Sequence, residues 1–150
     1  MAKNIIAAVV GYVIVFVLVF GLMTGCWALL GADGAFEPNV WDATPIWLLL
    51  MLLSAVLAAI AGGYATAKLG RDSRAIWILV GIIVVLGVVF ALPTLSGDAV
   101  PPLGPRPDVL PMLEAMQNGR QPAWIAFLNP MLGVVGVLLG RRIASGPSVR

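Results

Sequence analysis

The sequence predicts an all-α membrane protein, with four transmembrane helices in an up-and-down bundle, both termini cytoplasmic, and a short amphipathic helix in the second outer loop. Three observations carry this prediction. First, 61% of the 150 residues are apolar and 11% are charged, with a mean hydropathy of +1.02, whereas a soluble domain carries about 25% charged residues. So few charges cannot coat a water-soluble globule. Second, four long runs contain no Asp, Glu, Lys or Arg. Third, the basic residues fall almost entirely on one side of those runs.

The first run extends from Ile5 to about Leu30, 26 residues, which at about 1.5 Å per residue exceeds a ~30 Å hydrocarbon core and must tilt or protrude. Its Lys3, apolar stretch and Leu22-Met23-Thr24-Gly25-Cys26 also match the outline of a secretory or lipoprotein signal. The run is longer than an h-region of ~7–15 residues, and Met23 stands three positions before the cysteine, so it is read as a retained span. Cys26 is then a small apolar residue near the outer end, with pairing to a second copy as the alternative. The other spans are placed at about 46–67, 75–92 and 123–140. Only helices or closed barrels satisfy their backbone groups in lipid, and none of these runs alternates like a barrel strand. The whole chain, 1–150, is read as one integral membrane domain.

Lys and Arg near span ends are retained on the cytoplasmic side. Lys3, Lys68, Arg71, Arg74, Arg141, Arg142 and Arg150 flank one side, with Asp72 its only acid. The opposite loops, 31–45 and 93–122, hold Arg106 and Arg120 against six acids: Asp33, Glu37, Asp42, Asp98, Asp108 and Glu114. The 68–74 link is therefore predicted cytoplasmic. Trp27, Trp41, Trp47 and Trp124 fall at outer ends and Trp77 at an inner end, as expected of residues that prefer the interfaces. The basic pI reflects this topology, and no nucleic-acid partner is expected.

Helix association in a bilayer rests on close backbone approach, which rows of small residues permit. In the second span Ser54, Ala58, Gly62 and Thr66 form one row, and Ala55, Ala59, Gly63 and Ala67 form the row beside it, a face broad enough for two neighbours. Gly21 and Gly25 form GxxxG in the first span above Ala7 and Gly11. Gly136 and Gly140 repeat it in the fourth, with Gly133 before them. Gly81 and Gly87 do not share a face, so the third span is expected to pack less tightly. Short links favour antiparallel neighbours in sequence order.

Residues 31–45, with Gly34, Pro38 and Pro45, read as a short polar turn. Pro93 to Pro107 holds five prolines and reads as extended chain. Asp108 to Asn118 reads as a short helix with Asp108 as N-cap, Pro111 in its first turn and Gly119 as C-cap, placing Val109, Met112, Leu113 and Met116 on one face. It is expected on the outer interface or across the bundle mouth. A loop of this length is often functional.

No span contains an ionisable side chain, histidine is absent and there is one cysteine. His-ligated haem or zinc, a Ser/His/Asp triad and an intrachain disulfide are excluded, and no metal or cofactor is expected. In size and span count the chain resembles the small multidrug antiporters, but these need a membrane-embedded Glu that it lacks. Disulfide-forming quinone reductases need cysteine pairs, and cytochrome-b-like subunits need histidines. Catalysis would fall to Asp98, Asp108 and Glu114 with Arg106 and Arg120, whose spacing makes no acid/base pair. Asn129, about 9 Å into the fourth span, needs partners for its amide, and Pro130 frees the Ala126 carbonyl and kinks the helix. With Trp124, Met112 and Met116 these residues form the candidate ligand or partner contact.

The leading functional expectation is a non-enzymatic structural, accessory or scaffold protein of the bacterial cytoplasmic membrane, associating with itself or another membrane protein. The alternative is a carrier or binder of a neutral or lipid-like molecule, held in an uncharged cavity under the outer loop.

Overall fold

The computed structural model describes residues 1–95, 104–107 and 110–146. They form five helices: α1 (Ala2–Ala35), α2 (Pro45–Leu69), α3 (Arg74–Leu95), α4 (Met112–Asn118) and α5 (Ala123–Ser145). The four long ones are apolar and long enough to cross a membrane. Each outruns its hydropathy segment, because an apolar run marks only the part that prefers lipid and the helix continues beyond it. In α5 the continuation takes in Arg141 and Arg142, cations that suit the negative end of the helix dipole.

Two boundaries differ from the sequence reading. The helix α3 continues through Pro93 to Leu95, where extended chain was expected. A proline in the last turn removes only one backbone donor, and little helix follows it. The α4 helix starts at Met112 with Pro111 in extended geometry before it (φ −63°, ψ 140°), one turn later than expected. The N-cap assigned to Asp108, like Val109, lies outside the described residues. In α1 the chain breaks at Gly31 (φ 64°, ψ −167°), a conformation essentially restricted to glycine, and one further turn leads to Phe36.

Helix directions alternate, but neighbours do not follow sequence order. Gly11 lies against Gly62 and Thr66, and Trp27 packs on Trp47, so α1 and α2 are antiparallel. Gly136 meets Val56 and Ala59, and Gly140 meets Ile60 and Tyr64, so α2 and α5 run parallel. Gly133 meets Ile83 and Gly87 meets Pro130, which sets α3 antiparallel to α5. Ala8 joins Ile76 and Leu79 in one core cluster and closes the ring. Around the bundle the order is thus α1, α2, α5, α3, with α2 and α3 meeting only weakly across it. The expected sequence-order pairing is corrected here, and the small residues explain why. The two rows of α2 admit two close neighbours; α5 brings its own row of Gly133, Gly136 and Gly140, and α3 has only Gly87 to offer.

The end holding both termini is tied by polar groups. Asn4 Nδ2 donates to Asp72 Oδ1 at 3.0 Å, and the Arg71 backbone N–H donates to Asn4 Oδ1 at 3.0 Å. The Arg74 backbone N–H donates to Asp72 Oδ1 at 2.8 Å. That last bond, aided by Asn4 and by the Arg74 charge, holds the Asp72 carboxyl below its ordinary value of 3.8.

Candidate functional site: an uncharged cavity beneath the capped end

At the opposite end the loop 36–44 folds back on itself. Glu37 N–H donates to Asp42 O at 2.9 Å and Thr44 N–H to Ala35 O at 2.9 Å, with Asn39 in the left-handed region at φ 61°. Thr44 then caps α2, its Oγ1 accepting from Trp47 N–H at 3.3 Å and donating to Gly34 O at 2.6 Å. This loop is the anchor for both pieces of the second outer segment. Arg120 N–H donates to Trp41 O at 2.7 Å and Ala43 N–H to Arg120 O at 3.0 Å. Arg106 N–H donates to Asn39 O at 3.4 Å, Trp41 Nε1 donates to Gly104 O at 3.1 Å, and the Arg106 guanidinium pairs with Asp33 at 2.6 Å.

Under these strands of chain lies an aromatic cluster. Trp27 meets Phe36 and Trp47 edge-on at centroid distances of 6.3 and 5.9 Å, and Phe36 meets Trp41 at 6.2 Å. Such T-shaped pairs add about 0.5–1.5 kcal/mol each beyond their area. Trp41, expected at an interface, is instead buried in this cap beside Leu110 and Ala115, because its indole N–H finds a backbone acceptor there. On α4, Ala115 is buried against the cap, while Leu113 and Met116 are 67% and 61% exposed.

Below the cap the long helices stand apart. A cavity of about 480 Å³ opens between α1, α2, α3 and α5, running from Gly119 and Gln121 at the mouth down to Tyr12, Ala59 and Gly133. Along α5, Pro122 to Gly133 corresponds to about 16 Å of helix, so the cavity reaches toward the middle of the bundle. A second cavity of about 330 Å³ lies beside it under α4 and the aromatic cluster, and the two share Val19, Met51, Gly119, Gln121 and Asn129. Among the described residues no charged side chain lines either one. A wholly apolar groove of about 520 Å³ on the outer surface, between α3 and α5, shares Gly87, Ala91, Ala126 and Pro130 with the larger cavity. The cavity and the groove adjoin at these small or compact side chains.

The sequence candidates divide as follows. Asn129 and Pro130 line the larger cavity, and Met112, Met116 and Asn129 line the smaller one. Trp124 does not join them; it is 53% exposed and points outward. Asn129 Oδ1 is buried with no hydrogen-bond partner among the described residues, so the bond from its oxygen to freed backbone or a neighbouring helix is not made. Of the packing candidates, Ser54, Ala58 and Gly62 are buried on the α1 side of α2. Gly63, Gly136 and Gly140 lie at the α2–α5 contact. Gly21 and Gly25 have nothing within 4 Å of where a Cβ would stand and take no part in packing within the chain. A GxxxG pair marks a surface that can pack without saying which side of the helix turns inward.

Sequence reasoning missed Gly87, Gln121, Met51 and the aromatic cap. Gly87 had a usable signal, a glycine in a β-branched run that can receive a proline ring from another helix. The lining residues had none, since Met51 and Gln121 become neighbours only through the lateral helix order. Among the loop groups considered for catalysis, Glu114 is exposed, Arg106 pairs with Asp33, and Asp98 and Asp108 lie outside the described residues. Among the described residues no three His, Cys, Asp or Glu side chains gather as a metal set.

No family model, no curated protein and no solved structure matches this chain.

Proposed function

We propose that the chain is a non-catalytic membrane protein that binds or carries a neutral, lipid-like molecule in the cavity between its helices. The reading places it in a bacterial cytoplasmic membrane with both termini inside, following its basic residues. The observation that supports it is an uncharged cavity of about 480 Å³, a size typical of ligand sites, about 300–1,000 Å³. The walls are mostly apolar, through Val15, Val19, Ile83, Leu86 and Phe90, with Tyr12, Gln121 and Asn129 as their polar points. Hydrocarbon matches them, and the thin wall at Gly87, Ala91, Ala126 and Pro130 offers a lateral path from the bilayer.

The test uses the full chain in vesicles containing a neutral lipid with a photoreactive group in its chain, with labelled residues mapped by mass spectrometry. Labelling of Tyr12, Met51, Leu86 and Ala126 is expected, and its loss in Ala55→Phe, which fills the cavity. Labelling confined to outward residues such as Val13, Val17 and Val85 would overturn the proposal.

A second reading, a scaffold that self-associates or joins another membrane protein, is favoured by Gly21 and Gly25, which face away from their own bundle. Oligomeric state in mild detergent tests it. A dimer abolished by Gly21→Leu with Gly25→Leu supports this reading, and a strict monomer removes it.

A further inference from the structure

We infer, building on the binding reading above, that the occupant is an uncharged single-chain amphiphile with a hydroxyl headgroup, held by that hydroxyl at Asn129 and extending its chain toward Tyr12. Asn129 sits where the two cavities join, and it lines both. It lies six residues into α5, about 9 Å below the start of the helix, at a depth where a polar side chain must find a partner in the protein or in a ligand. Its Oδ1 is buried with no hydrogen-bond partner among the described residues, a buried acceptor left unmet is costly, and a turn of the amide about its soft terminal torsion brings the oxygen to the cavity that the side chain lines. A ligand that donates one hydrogen bond removes that cost. A hydroxyl carries one donor and two acceptor lone pairs, so it can satisfy the amide from either of its polar atoms.

The rest of the lining narrows the class further. Among the described residues the cavity has no Lys, Arg, Asp or Glu to pair with a charged headgroup, and an unpaired charge in such surroundings is disfavoured far more than a neutral group. Beneath Asn129 the walls are Val15, Ile83, Leu86, Ala59 and Gly133, which suit a hydrocarbon chain, with Tyr12 at the far end. Below the cavity α2 and α5 meet backbone to backbone through Gly63 and Gly140, and a space of about 480 Å³ favours one chain over two.

The experiment titrates the purified full chain in detergent with two probes of identical chain, monoolein and methyl oleate, and reads bound ligand by native mass spectrometry. Monoolein offers hydroxyl donors and methyl oleate offers none. The wild-type chain is expected to bind monoolein about tenfold more tightly, the ratio that a single hydrogen bond of ~1.4 kcal/mol supplies. Asn129→Leu should bring monoolein down to the methyl oleate level and leave methyl oleate unchanged, and Ala55→Phe should lose both. Equal binding of the two probes by the wild-type chain would overturn the headgroup assignment while leaving the cavity reading intact. Binding of neither probe would overturn both. The wild-type comparison stands without any variant, so a poorly folding substitution does not rescue the inference.

Discussion

Replacing Gly63 with alanine should separate the two most extensively packed helices. An ideal Cβ on Gly63 would stand 2.7 Å from Val137 Cα and 2.9 Å from its carbonyl carbon, whereas ordinary contact begins at 3.4 Å. All of these atoms are backbone, so no rotamer change relieves the clash, and α5 must retreat by at least about 0.7 Å, the kind of shift that costs about 1–3 kcal/mol in a packed core. Alanine gains up to ~1 kcal/mol over glycine in helix propensity, so the net expectation is a loss of up to about 2 kcal/mol. Gly21→Ala and Gly25→Ala meet nothing within 4 Å and keep the propensity gain without the clash, so they should be neutral or slightly stabilising. The assay is unfolding in mixed micelles by SDS titration, followed by tryptophan fluorescence and far-UV circular dichroism. Since both variants share the propensity gain, a Gly63→Ala chain no less stable than Gly21→Ala would refute the helix order α1, α2, α5, α3.

Other perturbations have equally definite outcomes. Thr66 Oγ1, fully buried, donates to Ala7 O at 3.3 Å, so Thr66→Val, nearly the same shape, should cost about 0.6 kcal/mol, the usual value for such bonds in a membrane, in the same unfolding titration. Asp72 is held below its ordinary 3.8 by its hydrogen bonds, so its folded-state pKa is depressed and its contribution is complete above the unfolded value. The contribution is lost as pH falls through the lower folded value. The melting difference between wild type and Asp72→Asn should therefore stay constant from about pH 5 to 8 and close only below about pH 4; closure near neutrality would contradict the Asn4 tie. In the cap, Asp33 is 88% exposed while the Arg106 side chain is 5% exposed. Asp33→Asn should thus cost under about 1 kcal/mol and Arg106→Ala more, through lost packing of its aliphatic stem. Gly31→Ala places a side chain at φ 64° and should cost about 1–3 kcal/mol, read as a lower thermal midpoint.

The parts of this molecule that were legible beforehand are those set by exchange between water and lipid. The absence of charge from 46–67 or 123–140 is a local property, and it placed four helices to within a few residues. The double row on α2 was readable for the same reason, since small residues four apart form a face whatever lies opposite. Lateral order is different. In lipid every apolar face is soluble, so nothing in α3 announced that it would sit beside α5 and α1 instead of α2. Gly21 and Gly25 illustrate the limit, for their spacing equals that of Gly136 and Gly140, yet one pair faces out and the other meets Ile60 and Ala59. The candidate site was half visible. Asn129 and Pro130 stood out as a polar and a helix-breaking residue inside a span, but the cavity that they border depends on four helices at once. The burial of Ala115 on α4 was not legible, because it depends on Phe36 and Trp41, which the loop 36–44 brings over it.

The most direct test is an experimental density map of the chain purified with lipids from its own membrane. The account predicts one elongated, uncharged molecule between Asn129 and Tyr12, its polar end within hydrogen-bond distance of Oδ1. A bundle whose side chains close that space, or one that holds only a file of ordered water, would contradict it.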